Sequence, residues 1–378
     1  MSDMTSERRA LAARLHGAGV FTRPEWRHAV EAVPRELFLS PGVFVPDATG
    51  RWKPVPADRI IPALAYSDQS LVTQLDDALT TEEVPEAVWG TPTSSSTVPS
   101  LVADMLGKAG IERGHKVLEI GTGTGYSTAL MCHGIGPRAV TTVEVDPGVA
   151  RRARDALGAA GYVPHTVTGD GLLGHPERGP YDRIIATCAV RRVPDTWLRQ
   201  TGPGGVVLTT LGSWPNGAGL LRLTVRENGD ADGRFLGHTS FMQARAQVPP
   251  PVAGDLGART ADADSDRTTY LSPSLLVEGG MPAFLAQLTV PGSQVIRASG
   301  LGTVLVDAER GSFAQFLRAD ETWRVRQGGP VALWDEVEAR VRAWQAAGRP
   351  GIGAVRLRIS AEGHVYRIGD GPSLRWRH

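Results

Sequence analysis

A short apolar run leads into three glycines spaced two residues apart in Val117-Leu118-Glu119-Ile120-Gly121-Thr122-Gly123-Thr124-Gly125-Tyr126. Val117, Leu118 and Ile120 predict a short buried strand, and a helix is predicted from Tyr126 to His133. The glycines between them permit a tight turn and let a ligand approach bare backbone. Because main-chain amides at a helix start attract anionic groups, the stretch predicts a strand, a ligand-binding loop and a helix.

A second strand that ends in acids follows, Thr141-Thr142-Val143-Glu144-Val145-Asp146. A carboxylate at Glu144 can accept both hydroxyls of a ribose, whether the ligand is S-adenosylmethionine (SAM) or NAD. The dinucleotide fingerprint is G-x-G-x-x-G, whereas this chain has G-x-G-x-G with Glu119 two residues earlier. This spacing resembles motif I of the class I SAM methyltransferases. A NAD-linked enzyme and a loop without a ligand are the alternatives.

Length and charge limit the class of protein. With 378 residues the chain is long enough for two domains. Its 40 basic and 40 acidic residues are well mixed, which argues against a broad basic surface for nucleic acid. No apolar run is long enough to cross a bilayer, and residues 1–9 lack the apolar core of a signal peptide. We therefore expect a cytoplasmic protein that binds neither nucleic acid nor a membrane.

The chain has two cysteines, Cys132 and Cys188, each in or beside an apolar segment. Two buried thiols are therefore expected rather than a disulfide or a metal site. We expect His115, His133 and His175 on the surface or in loops, and we predict no metal.

Strands and helices alternate through the middle of the chain. A helix is predicted from Pro147 to Ala160, with Asp146 as its N-cap and Gly161 at its end. Further strands are predicted near residues 166–171, 180–187 and 202–208. This alternation predicts a Rossmann-like, doubly wound α/β fold with a mostly parallel sheet covered on both faces. Ligands in such sheets bind beyond the carboxyl ends of the strands.

Three further motifs resemble the protein-L-isoaspartate O-methyltransferase family over roughly residues 6–225. The family's V-P-R-x-x-F is matched by residues 33–38, and its A-Y-x-D-x-x-L by residues 65–71. Its G-D-G-x-x-G-x-P-x-x-x-P-Y-D-x-I is matched at nearly every fixed position by residues 169–184. The resemblance implies a class I SAM methyltransferase that transfers a methyl group to a carboxyl oxygen.

A serine-bearing segment precedes the glycine loop, Thr93-Ser94-Ser95-Ser96-Thr97-Val98-Pro99-Ser100. The family has I-S-x-P or S-Q-P here, so Ser94 falls on its active-site serine, while Ser96 replaces the usual proline. The apolar spacing that follows predicts a helix, which Ser96 or Thr97 can cap. The serines would then lie at a helix N-terminus, which favours a carboxylate. Capping of the helix alone is the alternative role.

The resemblance implies SAM as the cofactor and assigns residues to it. Glu119 would lie beneath the loop whose residues would line the methionine part, namely Gly121, Thr122, Gly123 and Gly125. Glu144 would take the ribose hydroxyls, and Asp170 and Gly171 would lie against the adenine. Ser94 would be the catalytic residue, a hydroxyl that orients the acceptor carboxylate. A carboxylate is already ionised at neutral pH and needs no general base, which fits the lack of a compelling His–Asp or Cys–His pair in the sequence.

Three domain ranges are predicted. Residues 1–245 form the SAM-binding catalytic domain, residues 246–269 a linker rich in Pro, Ala, Gly and Asp, and residues 270–378 a C-terminal α+β domain for substrate recognition. In the last range, a helix is predicted by the spacing of Trp334, Val337, Val341 and Trp344, and a strand by the alternation of Val355, Leu357 and Ile359 with arginines.

Two acceptors fit this organisation. Members of the family usually methylate isoaspartyl residues of damaged proteins, and the ester closes to a succinimide that opens partly to aspartate. The C-terminal range, the long segment between Leu71 and Thr93 and the triple serine resemble instead the extended relatives of ribosomal peptide (lanthipeptide and graspetide) pathways. Those enzymes methylate an aspartate of a cyclised peptide, which leads to aspartimide or isoaspartate. We expect this peptide-tailoring (RiPP biosynthesis) function, with protein repair as the alternative and a non-catalytic peptide-binding protein as a third.

Overall fold

The computed structural model describes residues 3–212, 214, 217–252, 254–369 and 374–376. The chain divides into two compact units. The first unit comprises residues 1–188 and 194–208, and the second comprises residues 189–193 and 209–378.

The N-terminal part of the first unit holds three helices and a small antiparallel sheet. The helices are α1 (Met4–Gly17), α2 (Pro24–Ala32) and α3 (Pro62–Ala65), and a 3₁₀ segment covers Arg35–Leu39. The strands are β1 (Gly42–Pro46), β2 (Trp52–Pro56), β3 (Leu71–Leu75) and β4 (Pro92–Ser96), in the order β2-β1-β3-β4. The serine segment belongs to this sheet, because β4 contains Ser94.

A parallel sheet forms the centre of the first unit. Its strands are β5 (Val117–Ile120), β6 (Val140–Glu144), β7 (His165–Thr168) and β8 (Tyr181–Val190), in the order β8-β5-β6-β7. The helices of this part of the chain are α4 (Pro99–Ala109), α5 (Tyr126–Ile135), α6 (Pro147–Ala159) and α7 (Asp195–Arg199). All residues of β5 and β6 are buried, as expected for strands covered on both faces.

The predicted N-cap of helix α6 is confirmed, whereas the predicted N-cap of helix α4 is wrong. Asp146 caps α6 as predicted, since its Oδ1 accepts a 2.9 Å hydrogen bond from the Val149 amide. The predicted cap of α4 by Ser96 or Thr97 is wrong, because β4 extends through Ser96 and α4 begins only after Val98. The Ser100 amide instead donates to Oδ1 of Asp68 at 2.9 Å, so the A-Y-x-D-x-x-L motif supplies the carboxylate at this helix start.

The second unit contains two antiparallel sheets. The chain enters the second unit within β9 (Thr201–Leu211). The strands of the first sheet, each paired with the next, are β10 (Gly219–Val225), β11 (Ala231–His238), β17 (Val355–Ser360), β18 (Gly363–Ile368) and β19 (Leu374–Trp376). The second has the order β12-β16-β15-β14-β13, with β12 (Ser265–Thr269), β13 (Ser293–Ala298), β14 (Gly302–Asp307), β15 (Ser312–Ala319) and β16 (Thr322–Gly328). The helices are α8 (Leu256–Ala261), α9 (Leu275–Glu278), α10 (Gly280–Thr289) and α11 (Leu333–Ala346).

Helices α10 and α11 pack with the second sheet in one core. The Phe316 and Trp334 rings meet edge to face with centroids 4.6 Å apart. Val337 and Val341 are buried beside Trp334, which confirms the predicted apolar face of α11. The predicted alternation in β17 is also confirmed, with apolar side chains buried and arginines exposed.

The compact units divide the chain at different places from the predicted ranges 1–245, 246–269 and 270–378. Residues 209–245 belong to the second unit, because β10 pairs with β11 and β11 pairs with β17. Residues 246–269 hold α8 and β12 rather than only a linker. Leu256 of α8 packs against a buried cluster on the second sheet, which explains the order of this Pro- and Gly-rich segment. The functional roles of the predicted domains remain predictions.

Both cysteines are free thiols, with Cys132 buried and Cys188 partly buried. Within the described ranges, three or more His, Cys, Asp or Glu side chains nowhere cluster in a way that could hold a metal ion. None of the helices in those ranges has the length and apolar character needed to cross a membrane.

Candidate active site

The glycine loop follows β5 and has a conformation that glycine favours. Gly121 has φ +90°, and a Cβ added there would lie 3.1 Å from Oγ1 of Thr187. The Gly121 amide donates to the Val143 carbonyl at 2.8 Å, and its carbonyl accepts a hydrogen bond from the Thr187 hydroxyl. The loop is thus fixed between the end of β6 and Thr187 of β8, at the edge of a parallel sheet where ligands bind.

Glu119 lies beneath this loop and is fully buried. Its carboxylate accepts hydrogen bonds from the hydroxyls of Ser127, Thr128 and Thr142, the last at 2.8 Å. Burial raises its pKa to about 7, although these three hydroxyls act in the opposite direction. Because its oxygens are occupied within the protein, Glu119 supports the loop, and a direct contact with the cofactor stays a prediction.

Glu144 ends β6 and is held against the glycine loop. Its Oε2 accepts a hydrogen bond from the Gly123 amide at 2.9 Å, and its Oε1 accepts one from the Asp146 amide at 3.1 Å. The Gly169 amide donates to the Glu144 carbonyl at 2.9 Å. The acid predicted for the ribose and the predicted adenine segment are therefore neighbours.

Asp170 and Gly171 follow β7 at the same edge. Asp170 is exposed and its Oδ1 accepts a 2.9 Å hydrogen bond from the Leu172 amide. Gly171 packs tightly over β5, since a Cβ there would lie 2.5 Å from Cγ2 of Ile120. An open pocket beside them is lined by Val143 and by several residues of this segment, including Gly169 and Asp170. These strand-end residues have the chemistry that a nucleoside cofactor requires. Their carboxylates can accept hydrogen bonds from ribose hydroxyls, and their glycines let a ligand lie close to the main chain.

Ser94 reaches the loop from the other sheet. The β3–β4 pairing shifts register between Val72 and Gln74, leaving Thr73 unpaired with a β4 residue. The Thr73 hydroxyl donates to Oγ of Ser94 at 3.3 Å. Ser94 is buried and lines a small pocket with Gly123 and Thr124. Bulges commonly re-aim side chains beside active sites, and this one directs two hydroxyls at the predicted cofactor loop.

The three serines are placed differently. Along β4, Ser94 and Ser96 are buried while Ser95 between them is only partly buried. Ser96 accepts a 3.2 Å hydrogen bond from Nε of Arg35, whereas the Ser95 carbonyl lies 3.5 Å from where a Gly123 Cβ would be. Only Ser94 of the three lines the pocket beside the loop.

Arg35, in the V-P-R-x-x-F motif, was not predicted as a functional residue. It is fully buried, and its guanidinium donates to the carbonyls of Ala65, Ser67 and Gln69 at 2.8–3.1 Å. It also donates to the carbonyls of Ser96 and Thr97. Burial lowers its pKa to about 10. Arg35 thereby ties two family motifs to the serine segment, and the motif itself was the sequence signal.

Arg152 is a second residue that sequence reasoning missed. It lies on α6 and lines the Ser94 pocket together with Leu37, Phe38 and Val149. The pocket therefore combines an apolar wall, four hydroxyl-bearing residues and one cation. No motif marks Arg152, because its placement depends on the packing of α6 beside the Arg35–Leu39 segment.

Comparison with known proteins identifies the class and then the family. The family model "Protein-L-isoaspartate(D-aspartate) O-methyltransferase (PCMT)" matches residues 56–247, just over half of the chain. A protein-L-isoaspartate O-methyltransferase of Ignicoccus hospitalis is 35% identical over 207 residues, covering 54% of this chain and 82% of the relative. One from Anaeromyxobacter dehalogenans is 44% identical over 116 residues, covering 30% of this chain and 54% of the relative. This chain thus spans about half the length of the second relative.

A solved structure described as a protein-L-isoaspartate O-methyltransferase shares the fold. It covers 95% of this chain and 99% of its own, with a TM-score of 0.54 and 23% identity. The parallel sheet with its glycine loop defines a class I SAM methyltransferase, with a sheet-rich C-terminal region. The chain belongs to the protein-L-isoaspartate(D-aspartate) O-methyltransferase family. Membership confirms the predicted enzyme class, a SAM-dependent carboxyl O-methyltransferase, and the predicted cofactor, SAM.

Proposed function

We propose that this protein methylates the free carboxylate of isoaspartyl residues in peptides or proteins, in the cytoplasm. The observation that carries the proposal is the placement of Ser94 beside the glycine loop. Its buried hydroxyl, supported by Thr73 at 3.3 Å, lines one pocket with Gly123. A carboxylate that reaches Ser94 would lie between a hydroxyl donor and the predicted methyl-donor site.

SAM, when bound, supplies an activated methyl group. The chain's own residues have the tasks of binding, alignment and exclusion of water. Glu144 would hold the ribose hydroxyls, and Gly121, Thr122, Gly123 and Gly125 would line the methionine part. Asp170 and Gly171 would contact the adenine, and Ser94 would donate a hydrogen bond to the acceptor carboxylate. Because Ser94 Oγ accepts from Thr73, its own hydrogen can point into the pocket. Such positioning can lower a barrier by about 7–11 kcal/mol.

The isoaspartyl acceptor is proposed ahead of the peptide-tailoring function expected from sequence. The similar curated proteins carry the name protein-L-isoaspartate O-methyltransferase. The extra length at the C-terminus was the main reason to expect tailoring. The solved structure named protein-L-isoaspartate O-methyltransferase matches 95% of this chain. The additional C-terminal residues therefore do not favour peptide tailoring over methylation of isoaspartyl residues.

A second candidate acceptor is an ordinary aspartate in a cyclised, ribosomally made peptide, leading to aspartimide. The observation that favours it is the elaborate β3–β4 connection beside Ser94. Asp76 and Asp77 both have positive φ there, and Val84 packs into a small core with Phe44 and Leu75. A structured β3–β4 connection of this kind is suited to a substrate of fixed shape, such as a cyclised peptide.

Mass spectrometry with matched peptides tests the proposal. The enzyme and SAM are mixed with two otherwise identical linear peptides, one with Asp and one with isoAsp, and with a cyclised peptide that contains Asp. A gain of one methyl group only on the isoAsp peptide is expected. Methylation or water loss only at Asp of the cyclised peptide would contradict the proposal and support the second candidate. Lack of any methylation would contradict both.

A further inference from the structure

Arg152 lies on the face of α6 that borders the Ser94 pocket. Val149, Arg152 and Ala156 all line this pocket, and they recur at positions i, i+3 and i+7, which is the spacing of one helix face. The preceding residue, Arg151, is exposed and does not line the pocket. The helix therefore brings one of two adjacent arginines to the pocket.

The guanidinium of Arg152 is directed toward the start of α6. A Cβ added to Gly148, one helical turn before Arg152, would lie 3.4 Å from Nη1 of Arg152. Helical side chains lean toward the helix N-terminus in this way. Because α6 begins shortly after β6 and its terminal Glu144, the charge of Arg152 lies near the strand ends at which the glycine loop also lies.

Arg152 has no partner of its own within the part of the chain that the structure describes. It makes no hydrogen bond there, and no carboxylate oxygen lies within 4.0 Å of its nitrogens. Its charge acts on Glu83 only from a distance: hydrogen bonds from Thr80 lower the pKa of Glu83 first, and Arg152 adds the smallest effect. A partly buried charge without a partner is unfavourable. The described residues thus leave one cation at the pocket available for a ligand.

The size of the pocket limits what can enter it. Its volume is about 20 Å³, and a cavity needs roughly 10–15 Å³ by this measure to hold one water molecule. A whole carboxylate or a phosphate is therefore too large, whereas a single carboxylate oxygen fits. One oxygen placed between the Ser94 hydroxyl and the Arg152 guanidinium would leave the second oxygen of the same carboxylate outside the pocket.

We propose that Arg152 binds the acceptor carboxylate together with Ser94, so that one oxygen is held in the pocket and the other is presented to the methyl donor. The inference rests on the proposed function for the identity of the acceptor. Ser94 supplies a directional hydrogen bond, and Arg152 supplies the charge that strengthens binding of an ionised group. Tight binding of the acceptor then requires its negative charge.

The negative charge of the acceptor disappears in the reaction. The outer carboxylate oxygen forms a bond to the methyl carbon while the bond from that carbon to the sulfonium sulfur breaks. A neutral ester and a neutral thioether result, and no proton is transferred. The attraction of Arg152 is therefore stronger for the substrate than for the transition state or the ester, so it lowers KM rather than raising kcat.

The carboxylate in the methionine part of SAM is the competing ligand for Arg152. The pocket favours the acceptor, because much of its lining lies outside the loop predicted to hold SAM. Gly123 and Thr124 come from that loop, whereas Leu37 and Thr73 belong to the elements around the serine segment. The affinity for SAM therefore separates the two ligands.

Binding of a matched peptide pair tests the inference without methyl transfer. Two fluorescein-labelled isoAsp peptides differ only in that one has a carboxamide in place of the free carboxylate. They are titrated with the full-length protein and S-adenosylhomocysteine, and anisotropy is followed. We expect the wild type to bind the carboxylate peptide at least about tenfold more tightly than the carboxamide peptide. In Arg152→Met this ratio should fall below about threefold, and Arg152→Lys should keep part of it, because lysine retains the charge without the planar fork of donors.

The matched control is Arg151→Met, the same change at the exposed neighbour on α6. It should leave the binding ratio and the Kd for SAM at their wild-type values. An equal ratio in Arg152→Met and the wild type would overturn the inference. A higher Kd for SAM in Arg152→Met, measured by calorimetry, would assign Arg152 to the methionine carboxylate and would overturn it as well.

Methylation kinetics separates the inference from the proposed function. With an isoAsp peptide as substrate, Arg152→Met should raise KM at least about tenfold and change kcat by less than about twofold. A fall of kcat with an unchanged KM would contradict the binding role of Arg152. If Asp peptides are methylated and isoAsp peptides are not, the proposed function fails, and the same binding ratio measured with Asp and Asn peptides then decides the inference.

Discussion

The Gly123 amide donates a hydrogen bond to Oε2 of Glu144 at 2.9 Å. The carboxylate that would take the ribose hydroxyls is thus already fixed to the loop that would line the methionine part. Binding of SAM would then need little rearrangement of either group.

Glu144→Gln should weaken SAM binding, because an amide is a poorer acceptor for the ribose hydroxyls and lacks the negative charge that strengthens such bonds. We expect the Kd measured by calorimetry to rise about tenfold or more. Glu227→Gln, an exposed turn residue of the second unit, is the control. An unchanged Kd for the Glu144 variant would remove Glu144 from the cofactor site.

Glu119→Gln should change how stability depends on pH. The folded-state pKa of Glu119 is raised to about 7 by burial, above its ordinary value of 4.5. Between these values the folded protein keeps a proton that the unfolded chain has released, so the free energy of unfolding falls as pH rises. The loss from this group is up to about 3 kcal/mol. Urea unfolding at pH 5 and pH 8 should show a smaller fall for the variant than for the wild type. Equal falls would mean that Glu119 ionises normally.

Arg35→Met should strongly destabilise the first unit. The change leaves buried carbonyls of Ala65 and Ser96 without their donor, and unpaired buried acceptors cost about 1–3 kcal/mol each. We expect these unpaired acceptors together to cost roughly 3–5 kcal/mol in urea unfolding. Arg27→Met removes a partly buried surface pair with Glu31 and should cost less than about 1 kcal/mol. Similar losses for both variants would contradict the structural role of Arg35.

Much of the first unit could be predicted because its signals are local. The apolar runs, the glycine spacing and the Asp146 cap each depend on a few neighbouring residues, and the structure places them as expected. Glu144, the glycine loop and the G-D-G segment meet because parallel strands end at one edge of the sheet.

Other features depend on contacts distant in sequence. Arg35 meets carbonyls about thirty and sixty residues away. Ser96 faces that guanidinium instead of capping α4, and residues 246–269 are ordered because Leu256 finds an apolar surface on a later sheet. The pairing of β11 with β17 joins strands that lie over a hundred residues apart in sequence. Local patterns contain none of this information.

The most direct test of the account compares Ser94→Ala with Ser95→Ala in methyl transfer to an isoAsp peptide, with SAM affinity measured on the same samples. Because Ser94 lines the pocket at the glycine loop and Ser95 does not, we expect the Ser94 variant to lose at least about tenfold in turnover while its Kd for SAM stays unchanged. The Ser95 variant should keep nearly full turnover. Equal turnover of both variants, or parallel loss of turnover and SAM affinity in the Ser94 variant, would contradict the role of Ser94 in orienting the acceptor.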